Sequence, residues 1–89
     1  MNIKNIPPNV QEVLAIVTNI QELFINSKDF QSGLEEIKVL KSYAEEHDVN
    51  VDESQLAFVG KSVLDKPSTE INRIFNNLKL NIIKDNTNE

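Results

Sequence analysis

The chain has no cysteine, which excludes disulfides, cysteine–zinc centres and thiol catalysis together. It has one histidine and two glycines, and neither glycine belongs to a loop built to cradle phosphate. No histidine, aspartate and serine fall into an arrangement that scores as a nucleophilic triad. No apolar run approaches the roughly 18 uninterrupted residues of a membrane span. The opening MNIKNIPPN lacks the continuous apolar stretch of a secretory leader. Cytoplasmic residence without membrane association is therefore the expectation. With so thin a catalytic inventory, neither enzymatic activity nor a cofactor is expected.

Eighty-nine residues leave room for one domain, which buries only about 60–65% of the surface its unfolded chain exposes. Such a core is marginal, so support from a partner or a second copy fits the size. Hydrophobic residues at 39% and charged residues at 26% argue for a folded domain rather than a disordered one. The net charge of −5 lies wholly in the first part: residues 1–52 hold four basic and nine acidic side chains, whereas 53–89 hold five of each. An acidic first half disfavours nonspecific nucleic-acid binding and suits a basic partner surface.

Helical periodicity dominates what is present. Val10, Val13, Val17, Ile20 and Phe24 recur at 3-4-3-4 spacing on one face, so a first helix is predicted over about 10–26. Leu14, Ile16, Leu23 and Ile25 widen its apolar surface beyond a narrow seam. Asn9 stands at the N-cap position with Glu12 in capping-box spacing, after an arm stiffened by Pro7 and Pro8. A second helix to about Glu46 presents Phe30, Leu34, Ile37, Leu40 and Ala44. Its start reads either as a turn near Phe30 or as a capping box at Ser32-Gly33-Leu34-Glu35.

The third helix is announced by Asp52 as N-cap, Gln55 three residues on, and a Val51/Leu56 hydrophobic staple. It turns Leu56, Val59 and Val63 inward, with Gly60 and Leu64 beside them. Gly60 costs about 1 kcal/mol against alanine in a helix interior, which a close helix crossing would explain. Pro67 stops this helix, and Ser68 is placed to cap a fourth with Ile71, Ile74, Phe75, Leu78 and Ile82 on one face. The predicted architecture is all-α: a small compact four-helix bundle with short connections. Residues 1–8 form an extended arm, 9–84 the single domain, and 85–89 a frayed polar tail.

Several residues invite a functional reading and fail it. His47 lies among Glu45, Glu46 and Asp48, but neighbours along one helix do not point at one ion. Asp48-Val49-Asn50-Val51-Asp52 imitates the start of a calcium loop, yet Glu53 stands where the turn glycine is needed and Val59 where the bidentate glutamate is needed. No metal site is expected. The helix pair around Pro67 has helix-turn-helix spacing, and Ser68, Thr69, Asn72, Arg73 and Asn76 could meet base edges. Four basic and one acidic residue between Lys66 and Lys84 form a thin phosphate footprint.

Apolar residues in surplus are the stronger feature. After each helix has given one face to the core, Ile16, Leu23 and Ile25 remain on the first helix. Val39, Phe58, Leu80 and Ile83 remain elsewhere. Residues 16 and 23 are seven apart and share one strip, which is a docking surface if exposed. The leading expectation is a small acidic non-enzymatic interaction domain, a regulator or inhibitor. It would bind a partner protein or a second copy of itself, as a homodimer, through Ile16, Leu23, Ile25, Leu80 and Ile83. A helix-turn-helix DNA-binding module, with residues 68–84 as recognition helix, is the alternative.

Overall fold

The computed structural model describes residues 6–87. Four helices follow one another: α1 (Pro8–Ile25), α2 (Phe30–Glu46), α3 (Glu53–Asp65) and α4 (Ser68–Thr87). There is no strand among the described residues. The protein is thus an all-α four-helix bundle, in which α1 packs on α2 and α4, α4 on α3, and α2 least closely on α3. Its radius of gyration of 12.6 Å is close to the ~12 Å expected of a compact chain this long.

The helix starts show how sequence becomes local structure. α1 begins one residue before the predicted cap. Pro7, extended at φ −60° and ψ 151°, is the N-cap, and Pro8 occupies the first helical position. Proline suits that position because its missing N–H would have no partner there. The capping role expected of Asn9 is therefore not used. Gln11 secures the entry instead: its backbone N–H donates to Pro7 O and its side-chain Nε2 to Ile6 O. Ile6 itself is buried, while Ile3 of the predicted arm lies outside the described residues.

Asp29, not Ser32, caps α2. Its carboxylate accepts from Ser32 N at 3.1 Å and Ser32 Oγ at 2.8 Å. The bond from the Ser32 backbone, helped by the one from its hydroxyl, holds the Asp29 carboxyl below its ordinary 3.8. The cap therefore contributes fully above that pH and is lost as the pH falls through the lowered value. At the other end of α2, Asp48 is left-handed at φ 56°. Val49 N–H returns to Ala44 O at 2.9 Å, and Val49 is buried. That is a Schellman closure with its apolar contact, made with aspartate where glycine is usual.

Asp52 caps α3 as predicted, accepting from Ser54 N and Gln55 N. Val51 packs against the core that contains Leu56, as the predicted staple requires. α4 departs from expectation at both ends. Ser68 is its first helical residue rather than its cap, and Pro67 O accepts from the N–H groups of Glu70 and Ile71. At the far end the helix continues to Thr87, three residues past the expected end at Lys84; residues 88–89 of the predicted tail lie outside the described residues. The reason is Asn86, whose side chain accepts from Asn50 N at 2.7 Å and donates to Asn50 O at 2.8 Å. One carboxamide thereby holds both backbone groups of a residue in the α2–α3 connection.

The core contains all five stripe residues of α1 and all five of α4. Phe24 is its aromatic hub, with ring centroids 6.1 Å from both Phe30 and Phe75. On α2 the buried face is Gly33, Ile37, Leu40 and Ala44: the last three are on the predicted stripe, and Gly33 replaces Phe30 and Leu34 at its start. A Cβ on Gly33 would lie 2.7 Å from Phe24 Cζ, so this glycine makes room for the ring. Phe30 and Leu34 consequently turn out of the core, and both are exposed. On α3, Leu64 is likewise exposed and Ser62 is buried in its stead. The Ser62 hydroxyl has no hydrogen-bond partner among the described residues.

Candidate protein-interaction groove

Burial divides the apolar residues first assigned to docking. Ile16, Ile25 and Ile83 pack against the core, and Leu23 is half-buried. The Ile16/Leu23 strip runs along the α2 side of α1, the side on which Asn19 Nδ2 donates to Glu36 Oε2 at 3.2 Å. Only Leu80 of the five is exposed. Of the five residues named for base reading, Ser68, Thr69, Arg73 and Asn76 are exposed. Asn72 is engaged within the bundle, where its Oδ1 accepts from Gln21 Nε2 at 2.6 Å. His47 closes α2 with its ring 4.2 Å from that of Tyr43. No three His, Asp or Glu side chains among the described residues gather as metal ligands.

Further exposed apolar residues lie on α2 and α3: Phe30, Leu34, Val39, Phe58 and Leu64. Helical spacing puts Phe30, Leu34, Lys38, Lys41 and Glu45 in one row along the α3-facing side of α2. Across from them the α2-facing row of α3 is Glu53, Ala57, Gly60 and Leu64. A Cβ on Gly60 would lie 3.8 Å from Leu34 Cδ2, which fixes the register: Gly60 stands opposite Leu34. Leu64 lies one helical turn beyond Gly60 on α3. Glycine has no side chain and alanine only a methyl, too short to cover the α2 row. The groove therefore stays open, with Phe30, Leu34 and Leu64 exposed at 37, 44 and 71%.

A cleft of about 520 Å³ lies between the second half of α2 and the start of α3. Its floor is Ala44, Val49 and Leu56, and its rim is Lys38, Lys41, Glu45 and Glu53. The cleft thus has an apolar floor and a rim of both charge signs. None of these side chains supplies a nucleophile beside a base, so the chemistry on offer is recognition by apolar contact and charge. Sequence reasoning placed Phe30 and Leu34 on the buried stripe and Leu64 beside it. The available signal was the small-residue row of α3, since Gly60 and Ala57 oppose long side chains without covering them.

Comparison with protein-family models, curated proteins and solved structures returned no match. No helix among the described residues is long and apolar enough to cross a membrane.

Proposed function

We propose that the protein is a non-enzymatic interaction domain that takes a helical segment of a partner protein into the α2–α3 groove. One observation carries this reading: Leu34 stays exposed beside Gly60 of α3, and Leu64, one helical turn beyond Gly60, is exposed as well. Apolar side chains spread singly over a surface need no explanation, but Phe30 and Leu34 lie one turn apart on α2, and Leu34 meets α3 at Gly60. Grooves of this kind accept amphipathic helices through apolar anchors spaced one turn apart. The surplus of acidic charge in the first half supports a regulator that engages a partner of opposite overall charge.

The test is differential capture from extracts of the producing cells, with bound proteins identified by mass spectrometry. A partner should be retained by the wild type and lost from the Leu34→Asp/Leu64→Asp double variant, whose helical circular dichroism should be unchanged. Equal retention by both proteins overturns the reading. DNA binding through α4 is the second reading, supported by the outward Thr69, Arg73 and Asn76. Low-salt retention on duplex DNA that is lost in Arg73→Ala and kept in the groove variant would favour it.

A further inference from the structure

Of the packed helix pairs, α2 and α3 touch least, and α3 rests chiefly on α4. We infer that α3 and the connection at residues 47–52 form a flap, which opens from the bundle as a unit and is latched shut by Asn86. The cleft of about 520 Å³ already parts this flap from α2, with Lys41 and Ala44 on one side and Asn50, Val51 and Leu56 on the other. Asn50 is also the residue that the latch holds. The Asn86 carboxamide accepts from Asn50 N at 2.7 Å and donates to Asn50 O at 2.8 Å. Beside it Asn81 Nδ2 donates to Gln55 Oε1 at 3.3 Å. All three bonds are exposed, so water competes for both partners and each adds little net free energy.

Both ends of the flap are joints rather than continuous helix. Asp48, left-handed at φ 56°, separates it from α2. At the other end Lys66 is extended at φ −111° and ψ 153°, and Pro67, lacking an N–H, interrupts the helical ladder before α4. The flap is also thinly anchored. Leu56, Val59 and Val63 are its buried apolar residues, against five on each of α1 and α4. Ser62 lies buried among them, and its hydroxyl has no partner among the described residues. Segments with few buried apolar contacts and exposed hydrogen bonds open at a lower free energy than the whole molecule. Opening widens the cleft and uncovers Leu56 and Val59, so the flap is the element through which this site changes shape.

Because the chain has no cysteine, a single introduced thiol reports opening at one place. Val59→Cys puts it on the buried face of α3 and Val17→Cys on that of α1, both at buried valines. Each variant of the full chain is labelled with an aromatic disulfide reagent across urea concentrations below the unfolding transition. Val59→Cys should react on the order of tenfold faster than Val17→Cys. Its rate should also rise less steeply with urea, because a flap exposes less surface than the whole chain. Adding Asn86→Ala should speed the Val59→Cys reaction about fivefold, the factor expected of losing one modest hydrogen-bonded contact. Equal rates with equal urea slopes would mean that α3 opens only when the molecule unfolds, and would overturn the flap. A Val59→Cys rate unmoved by Asn86→Ala would overturn the latch. Should either cysteine variant fail to fold, amide hydrogen exchange of the wild type decides. Residues 56–63 should then exchange on the order of tenfold faster than residues 13–20, and equal protection overturns the flap.

Discussion

Gly33 and Gly60 have the same residue type, the same helical backbone and opposite roles. Gly33 is required because the Phe24 ring occupies the space a methyl would take, with Phe24 Cζ 2.7 Å from that position. Phe24 is itself held against Phe75, so it has little room to retreat. Gly33→Ala should destabilise the protein by about 1–3 kcal/mol through overpacking. Gly60 meets nothing nearer than Leu34 Cδ2 at 3.8 Å, an ordinary contact. Gly60→Ala should therefore stabilise by about 1 kcal/mol through helix propensity. Urea denaturation of the two variants checks both signs. A close crossing was expected at Gly60; the close contact is at Gly33, because the short Asn26–Asp29 link brings the start of α2 down onto the last turns of α1.

At the scale of the element, helix interiors follow from periodicity whereas helix ends depend on partners. The stripe of α4 places its buried residues correctly, yet nothing in DNT tells where the helix stops. Asn86 decides this through its bonds to the Asn50 backbone and to Ile82 O at 2.7 Å. Asn86→Ala should cost about 1 kcal/mol, the usual worth of such bonds once solvent competes. It should speed amide hydrogen exchange in residues 85–87 and at Asn50, leaving exchange in α1 unchanged. A uniform rise in exchange across all four helices would instead make Asn86 a determinant of global stability. α3 shows the converse, for Asp52, Gln55 and the Val51/Leu56 staple are all local and were legible before any packing was known.

For the whole molecule, the question is which apolar surface is core and which is free. Ile16 and Leu34 look equivalent as isolated residues, each on the margin of an amphipathic helix. The bundle separates them. Ile16 packs against the core, whereas Leu34 sits on the wall of a groove that α3 leaves open. Ile16→Asp should destabilise by about 2–4 kcal/mol, since it forces a carboxylate against apolar neighbours. Leu34→Asp should change the urea midpoint by less than the equivalent of about 1 kcal/mol. An equally large loss in both variants would show that the α2–α3 groove is part of the core.

The sequence by itself determined the all-α class, the four helices, the α1 and α4 stripes and the Asp52 cap. Each of these depends on residues a few positions apart, within reach of backbone propensity and one-turn periodicity. Tertiary structure decided the rest. It chose Gly33 over Leu34 for the buried face of α2, because only glycine clears Phe24. It extended α4 to Thr87, because Asn86 finds Asn50 from 36 residues away. It also moved the candidate docking surface from the Ile16/Leu23 strip to Phe30, Leu34 and Leu64. Exposure belongs to the relation between helices, and α3 presents Ala57 and Gly60 where longer side chains would have closed the groove.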